Sequence, residues 1–282
     1  MAEAAAAAGA PLLSATGVGR RFGGVAAVDA VSIDVCVGEI HAVIGTNGAG
    51  KSTLINLLSG EIAPSAGQVF FAGHEVTRWP QPRRARAGLG RSYQRTTIFP
   101  EFSVLENCRL AAQSRAARPW LFWQRAAADR PSLDAAARAL DAAGLRDVAD
   151  RRAGTLSHGA QRQLEIAMCL ANAPLALLLD EPLAGMGGEE TDRMLALLST
   201  LKEGHAILLV EHDMDAVFRV ADRITVMVNG QVIASDLPER IRADPAVREA
   251  YLGDDDGPAA EAVAAPLPVA QPSTGPLPTP RR

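Results

Sequence analysis

Eight consecutive residues carry the clearest chemical pattern in the chain. They read Gly45-Thr-Asn-Gly-Ala-Gly-Lys-Ser52 and match the pattern G-x-x-x-x-G-K-[ST]. Glycines let backbone N–H groups turn inward around phosphate oxygens, and the N-terminus of a following helix adds partial positive charge. A lysine at this place reaches the outer phosphates, and the next hydroxyl group ligates Mg²⁺. A nucleotide site is therefore predicted at Gly45, Asn47, Gly48, Ala49, Gly50, Lys51, Ser52 and Thr53.

Lysine usage supports this site. The chain has only two lysines, Lys51 and Lys202, so nearly all of its positive charge is carried by arginine. One of the two stands where a compact ammonium group, rather than a planar guanidinium, must enter a loop. Two lysines among 282 residues would occupy one given position by chance roughly 1% of the time.

Asp180 and Glu181 supply the carboxylates that hydrolysis of a nucleotide requires. They follow the apolar run Leu177-Leu-Leu179, which is typical of a buried central strand. Asp180 is predicted to hold the Mg²⁺ shell and Glu181 to polarise the attacking water. The alternative, a structural acidic pair at a strand end, is disfavoured beside a phosphate-binding loop. A guanine nucleotide is disfavoured because neither lysine belongs to an Asn-Lys-x-Asp motif.

Strand and helix patterns alternate along the part of the chain that positions these residues. This alternation predicts an α/β fold with a mainly parallel sheet and ligands at the carboxyl ends of its strands. Asn229-Gly230 between the last two strands predicts a two-residue hairpin. The predicted strands are Val31–Val37, Ile40–Ile44, Gln68–Phe71, Leu175–Leu179, Ile207–Val210, Arg223–Val228 and Gln231–Ala234, and the predicted helices include Thr53–Ser59, Glu189–Lys202 and Met214–Ala221.

Composition limits the kind of protein. With 48% hydrophobic and 21% charged residues, the chain is typical of a soluble globular protein, and no apolar run reaches the roughly 18 residues of a membrane span. Residues 1–10 and the proline-rich segment 254–282 are predicted to be disordered. This leaves 11–253 as one α/β domain, with a helical subdomain inserted at about 95–172. The acidic excess lies mostly in the two ends, so the body gives little reason to expect a nucleic-acid surface.

Three further motifs identify a family. Leu156-Ser-His-Gly-Ala160 resembles a diverged form of the LSGGQ signature of ABC ATPases. Gln94, in Gly90-Arg-Ser-Tyr-Gln94, matches the glutamine of the Q-loop, and His212, in Val210-Glu-His-Asp-Met214, matches the switch histidine. All stand in the family's order, and the resemblance covers about 12–253. It implies a P-loop NTPase core of the ABC type, with an antiparallel β-subdomain and an inserted α-helical subdomain.

Shorter features are similar to the ATPase subunits of branched-chain amino acid and urea-type importers. They are Arg21-Phe-Gly-Gly24, Ile98–Asn107, Leu164-Glu-Ile166, Glu211-His-Asp-Met214 and Asp244–Gly253. The resemblance implies a subunit that binds and hydrolyses ATP to energise a bacterial importer of branched-chain amino acids or similar small polar solutes.

The same resemblance implies roles for single residues. Phe22 stacks on adenine, where an aromatic face contributes about 1–3 kcal/mol if base stacking on nucleic-acid proteins is a guide. Gln94 joins Mg²⁺ or water to the surface that faces the membrane partner, and His212 bonds the γ-phosphate. Ser157 and Gly159 act on ATP held by a second ATPase subunit, the same chain or a paralogue, in a head-to-tail dimer. The implied metal ligands are Ser52, Gln94 and Asp180.

The resemblance also implies partners and a location. These are transmembrane permease subunits and, indirectly, a solute-binding protein, with peripheral attachment at the cytoplasmic face of the inner membrane. The neighbourhood of Phe99-Pro100 is the expected docking surface for a cytoplasmic helix of the permease. No nucleic-acid partner is expected.

Two other functions are alternatives to transport-coupled hydrolysis. A soluble ABC ATPase acting on nucleic acid or ribosomes would need a basic face, fused paired ATPase units or long coiled coils, none of which the sequence shows. A regulatory pseudo-ATPase is suggested by Ala160 and Gly187, which replace the usual Gln of the signature and an Asp common in the loop after the catalytic Glu. Intact Lys51, Glu181 and His212 oppose that alternative.

Overall fold

The computed structural model describes residues 10–94, 97–116 and 129–252. The two ends predicted as disordered lie outside these residues, except residue 10, and the domain limits remain predictions. None of the helices in the described part is long and apolar enough to cross a membrane. The strands are β1 Leu13–Phe22, β2 Val25–Val35, β3 Ile40–Gly45, β4 Ala66–Phe71, β5 His74–Glu75, β6 Leu89–Arg91, β7 Ala176–Asp180, β8 Ala206–Val210, β9 Arg223–Val228 and β10 Gln231–Asp236.

The helices are distributed along the described part of the chain. They are α1 Lys51–Ser59, α2 Gln81–Ala87, α3 Val104–Ala116, α4 Arg130–Ala142, α5 His158–Leu170, α6 Gly188–Leu201, α7 Met214–Val220, α8 Pro238–Ala243 and α9 Pro245–Leu252.

Two sheets form the framework. One is antiparallel, with strand order β2-β1-β4-β5, and the other has the order β10-β9-β3-β8-β7-β6. In the second sheet only the β9–β10 pair is antiparallel. Every residue of β3, β7 and β8 is buried, as expected of central parallel strands covered on both faces. The mainly parallel sheet predicted from the sequence is therefore observed.

Successive residues of the central strands serve different cores. Leu178 packs with α1 and the antiparallel sheet, whereas Leu177 and Leu179 pack with α6 and α7. Because side chains alternate across a strand, one apolar run fills both layers. The carboxyl ends of β3, β7 and β8 consequently meet at one rigid edge of the sheet.

Helices α3, α4 and α5 form a third packed group, as predicted for the inserted helical segment. Val104, Cys108, Leu140 and Leu164 are fully buried members of its core. Helix α5 also faces the sheet, because Ile166 packs in the cluster formed with α6. The helix that follows the signature motif is thus shared by two layers of the molecule.

Local signals account for most element bounds. Asn229 and Gly230 have φ values of 49° and 83°, as the predicted hairpin turn requires. The first helix begins at Lys51 rather than at Thr53. Strand β2 spans Val25–Val35 rather than Val31–Val37, because its alanine-rich first half is held by pairing with β1 and not by its own pattern.

Candidate functional site

The phosphate-binding loop connects β3 to α1, as predicted. Gly48 and Gly50 have φ values of 82° and 98°, a left-handed backbone that favours glycine. A Cβ atom on Gly45 would lie 2.3 Å from Met227 O, and one on Gly50 would lie 2.2 Å from Ala27 O. The loop therefore owes its shape to two neighbouring strands as well as to its own glycines.

The N-terminus of α1 opens into this loop. Its N-cap is Gly50, so no side chain accepts a hydrogen bond from the first turn. The buried Lys51 folds back over the loop, where Nζ donates to Gly45 O at 2.6 Å and Thr46 O at 3.1 Å. Burial lowers the pKa of Lys51, while the nearby carboxylates Glu181 and Asp180 raise it. Uncapped N–H groups beside an ammonium group form a site for phosphate.

The other predicted loop residues differ in exposure. Ala49 is buried, Thr53 is half-buried, and Asn47 and Ser52 are exposed. The exposed hydroxyl of Ser52 at the start of α1 is thus accessible to a ligand from solution.

Asp180 ends β7 and is almost fully buried. Its backbone N–H donates to Ser92 Oγ at 3.2 Å, but Oδ1 has no hydrogen-bond partner. Burial raises the pKa of Asp180, with Arg91 and Lys51 acting in the opposite direction. A buried carboxylate oxygen without a donor is costly unless a cation satisfies it. The donor set therefore fits a hard divalent cation such as Mg²⁺.

Glu181 follows at once and has a strained backbone. Its φ is 49°, unusual for a residue other than glycine, and its N–H donates to Val210 O at 2.9 Å. Gln94 Nε2 donates to Glu181 Oε2 at 3.3 Å, and His212 Nδ1 lies 4.0 Å from Glu181 Oε1. Three residues predicted from separate motifs are thus brought together around one carboxylate. Strain of this kind persists where the surrounding structure fixes it, often at functional sites.

Glu211 is a member of this region to which the sequence motifs assigned no role. It is fully buried, and its carboxylate accepts hydrogen bonds from Leu183 N at 2.8 Å and His212 N at 3.2 Å. Burial raises its pKa to about 7. Glu211 therefore fixes the backbone of His212 and of the loop after Glu181. A charged residue directly after the apolar run of β8 is the signal that could have indicated this role.

Ser157 and Gly159 lie at the N-terminus of α5. Ser157 Oγ accepts a hydrogen bond from Ala160 N at 3.3 Å and donates one to Glu190 Oε1 at 2.8 Å. A Cβ atom on Gly159 would lie 2.6 Å from the carboxyl carbon of Glu190, so this carboxylate packs directly against the glycine. The signature residues therefore contact the first turn of α6, and His158 Nε2 lies 3.1 Å from Ala184 O in the loop that follows Glu181.

Phe22 lies at the end of β1, next to the tight β1–β2 connection. Its side chain is 49% exposed, and the Arg20 guanidinium carbon is 5.0 Å from the ring centroid. An exposed ring is available to stack on a planar ligand, but stacking on adenine stays a prediction. Strand β2 links this region to the phosphate loop through Ala27, whose carbonyl group touches Gly50.

Two family profiles match the sequence. The profile described as ABC transporter covers residues 28–184, more than half of the chain, and that of the branched-chain amino acid ATP-binding cassette transporter covers residues 231–257. The second match begins with β10, the strand that follows the Asn229-Gly230 hairpin.

Relatives match over nearly their whole length. The high-affinity branched-chain amino acid transport ATP-binding protein BraF of Pseudomonas aeruginosa is 39% identical over 252 residues, which cover 86% of this chain and 98% of that protein. The corresponding protein LivG of Escherichia coli is 40% identical over 254 residues, with the same two coverages.

Solved structures agree with the fold. A nucleotide-free ATP-binding cassette from an ABC transporter is 31% identical, with a TM-score of 0.77 over 86% of this chain and 98% of that one. Another such cassette in its ADP conformation is also 31% identical, with a TM-score of 0.78 and coverages of 86% and 99%. The fold class and the family resemblance predicted from the sequence are thereby confirmed, and the chain belongs to the ATP-binding subunits of the ABC transporter family.

Proposed function

We propose that this chain hydrolyses ATP to energise a bacterial importer of branched-chain amino acids or similar small polar solutes. The observation that carries this proposal is the grouping of Gln94 and His212 around Glu181, whose charge also acts on Lys51 at the start of α1. The solute class is supported by the family match over residues 231–257 and by BraF and LivG, whose names give branched-chain amino acid transport.

ATP binds in this proposal with its phosphates in the loop from Gly45 to Thr53. The ammonium group of Lys51, which now contacts two loop carbonyl groups, turns to the β- and γ-phosphates. Phe22 stacks on adenine through its exposed face. The phosphates thus meet the open helix end while the base stays at the protein surface.

Ser52, Gln94 and Asp180 are the proposed ligands of Mg²⁺. All three offer oxygen atoms, which this ion prefers, and Asp180 Oδ1 is the buried oxygen without a donor. When bound, Mg²⁺ neutralises charge on the β- and γ-phosphate oxygens.

Glu181 acts as the general base toward the attacking water. Its carboxylate is held between the amide of Gln94 and the imidazole of His212, while its backbone is fixed by β8. His212, exposed and anchored through its N–H by Glu211, donates a hydrogen bond to the γ-phosphate. General-base assistance of this kind contributes about 10²–10⁴ to the rate.

A second ATPase subunit completes each site. Ser157 and Gly159 contact Glu190 of their own subunit, and once that carboxylate moves away their helix end can meet the ATP of a partner in a head-to-tail dimer. ATP stabilises the closed dimer because its γ-phosphate contacts both subunits, and hydrolysis removes that bridge.

The permease docks beside the Q-loop in this proposal, which places the subunit peripherally at the cytoplasmic face of the inner membrane. Phe99 and Phe102 are exposed and stack with their ring centroids 5.6 Å apart. A cavity of about 340 Å³ opens between α2, β6 and helices α3 and α5, with Tyr93 and Thr97 in its lining, and Phe99 follows Thr97 by two residues. The exposed aromatic pair suits the apolar face of a cytoplasmic helix of the permease. The solute-binding protein contacts the permease and not this chain.

The first test is Glu181→Gln. We expect ATP hydrolysis to fall by about 10²–10⁴, while ATP produces a stable dimer that wild type does not accumulate. Phosphate release and light scattering after size-exclusion chromatography measure the two effects. If wild type hydrolyses ATP and the variant forms no ATP-dependent dimer, Glu181 is not the catalytic base. Wild-type turnover that is absent even with the permease would instead favour the regulatory pseudo-ATPase.

A second test addresses the solute. Cells that lack this chain are complemented with wild type or with Glu181→Gln, and uptake of labelled leucine is compared with uptake of labelled ribose. We expect wild type alone to restore leucine uptake and neither protein to change ribose uptake. Leucine uptake that does not depend on the chain would contradict the proposed solute class.

A further inference from the structure

Arg162 and Glu165 form a buried ion pair on α5. Their exposed fractions are 7% and 4%, and an Arg162 guanidinium nitrogen lies 2.9 Å from Glu165 Oε2. Glu165 belongs to Leu164-Glu-Ile166, a feature similar to the importer ATPases but without a role in the nucleotide site described above. Burying two charges is costly unless further hydrogen bonds satisfy them, so their remaining partners are informative.

Those partners are backbone groups of the Q-loop. Arg162 donates to Tyr93 O at 3.1 Å and to Gln94 O at 2.7 Å. Glu165 Oε1 accepts a hydrogen bond from Thr97 N at 2.7 Å. One turn of α5 therefore holds the Q-loop backbone at Gln94 on one side and at Thr97 on the other.

The same helix begins at the signature motif. Ser157 is the N-cap of α5, and Arg162 follows five residues later, about 7.5 Å along a rigid helix. Gln94, whose backbone Arg162 contacts, donates a hydrogen bond from its side chain to Glu181 Oε2. The first turns of α5, a hydrogen bond to the Gln94 backbone and a hydrogen bond from its side chain thus connect Ser157 with Glu181.

We propose that Arg162 and Glu165 are positioning residues for hydrolysis. They fix the backbone of Gln94 so that its side-chain amide reaches Glu181, and they transmit displacement of the signature end of α5 to that carboxylate. The inference rests on the proposed function, in which Glu181 activates water and Ser157 meets the nucleotide of a partner.

A second ion pair in the helical group provides a matched control. Glu106 and Arg109 on α3 have the same spacing of three residues, and Arg109 is 3% exposed. Within the described residues, the hydrogen bonds of the Arg109 side chain go to Glu106 alone, with Nε 2.7 Å from Oε2. Arg109→Gln therefore removes an equally buried arginine from an ion pair whose acid, Glu106, is 39% exposed, and it does so without touching the Q-loop.

The experiment is a double-mutant cycle with Gln94. The variants are Arg162→Gln, Gln94→Ala, their combination, Arg109→Gln and its combination with Gln94→Ala, each measured for kcat, KM for ATP and Tm. We expect Arg162→Gln and Gln94→Ala each to lower kcat about tenfold with little change in KM. Their combination is expected to be no slower than Gln94→Ala alone, because the arginine acts through the glutamine. Arg109→Gln lowers Tm and leaves kcat near wild type.

Two conservative variants test the same contacts. Arg162→Lys keeps a charge and a donor, and Glu165→Gln keeps an acceptor for Thr97 N–H. Both are expected to retain more kcat than Arg162→Gln and Glu165→Leu. If Arg162→Gln gives no cooperative unfolding transition, the cycle is run with Arg162→Met, which keeps the apolar stem of the side chain and removes its donors.

The outcomes distinguish failure of the positioning role from failure of the proposed function. If Gln94→Ala leaves kcat unchanged, the role of Gln94 in the proposed function is wrong. If Gln94→Ala slows hydrolysis but the effect of Arg162→Gln multiplies with it, the positioning role is overturned and the proposed function stands. The same conclusion follows if Arg109→Gln lowers kcat as much as Arg162→Gln does.

Discussion

The two helix ends that would contact ATP phosphates are built in opposite ways. Helix α1 has glycine as its N-cap, no side-chain acceptor at its first turn, and a buried lysine beside it. Helix α5 has a serine N-cap whose hydroxyl group already bonds both its own helix and the carboxylate of Glu190. The first end is open to an anion, whereas the second is covered by an acid from the same chain.

In the proposed function, this difference separates what a single subunit does from what requires a second one. The phosphate loop and the group around Glu181 belong to one subunit, which binds the nucleotide and its Mg²⁺ there. At the N-terminus of α5, the Glu190 carboxylate must first move away, because it and the γ-phosphate of a partner's ATP would repel each other. We therefore expect binding of ATP within one subunit and engagement of a second subunit to be separate steps with separate free-energy costs.

Replacing Lys51 should have the largest effect, since it removes the charge of the open end. We expect Lys51→Ala to lower hydrolysis by about 10²–10³ and to abolish the rise in Tm that ATP produces in wild type. Lys202→Ala is the control, because the only other lysine of the chain bonds Asp222 at 2.7 Å, at the end of α6. Thermal shift with and without ATP measures the effect, and an unchanged shift in Lys51→Ala would show that ATP does not bind at the phosphate loop.

Glu211 contacts the loop that leads from Glu181 to α6, and its titration should change the free energy of unfolding. Its pKa is raised from 4.5 to about 7, so the folded protein binds this proton more tightly than the unfolded chain. Stability is therefore lost as pH rises from about 4.5 to 7, by on the order of 2 kcal/mol. Glu211→Gln cannot titrate, so its Tm should fall less between pH 5 and 7.5 than that of wild type.

The control is Glu203→Gln, which alters an exposed residue and should keep the wild-type dependence of Tm on pH. If Tm changed equally with pH in wild type and in Glu211→Gln, the raised pKa of Glu211 would be contradicted.

Substitution of Phe22 tests how much of the affinity for ATP comes from contact with adenine. Loss of stacking in Phe22→Ala should weaken ATP binding by about tenfold, within the range for base stacking on aromatic side chains. Phe22→Tyr should retain most of the affinity, and Phe22→Leu should resemble Phe22→Ala if the aromatic face matters. Titration calorimetry with ATP measures the series. Wild-type affinity in Phe22→Ala would show that adenine binds elsewhere.

Glu190 tests the covered end. In a Glu181→Gln background, Glu190→Gln should lower the ATP concentration for half-maximal dimer formation by about fivefold, because a charge-assisted hydrogen bond no longer has to be broken. Glu189→Gln is the matched control, since it removes the same charge from the first turn of α6 and pairs with Arg193 instead. Equal effects of the two variants would show that Glu190 acts only through its negative charge and not through its hydrogen bond to Ser157.

Motifs predicted positions in the fold well where their residues are adjacent in sequence. The loop from Gly45 to Ser52 and the pair Asp180-Glu181 lie where the patterns place them, because a buried strand fixes the residue that follows it. The contacts between α5 and the Q-loop were not predictable. Arg162 and Glu165 are about 68 residues from their partners in the chain, and only the fold brings them together.

Glu190 was missed for the same reason, since Ser157 reaches it across 33 residues. Its sequence neighbourhood reads as an ordinary acidic first turn of a helix. An acid favours such a position in any helix, so nothing local distinguishes one that also covers another motif.

The close approaches at Gly45 and Gly50 bear on how this loop can evolve. A side chain at either position would overlap a carbonyl oxygen of β9 or β2 before any nucleotide is present, whereas Gly48 has open space around its Cα. Substitution of the two crowded glycines would register as a folding defect, and only substitution at Gly48 would probe the left-handed backbone itself. Selection for a stable sheet and selection for nucleotide binding therefore act on the same two residues, so the loop could retain its glycines in a descendant that had given up catalysis.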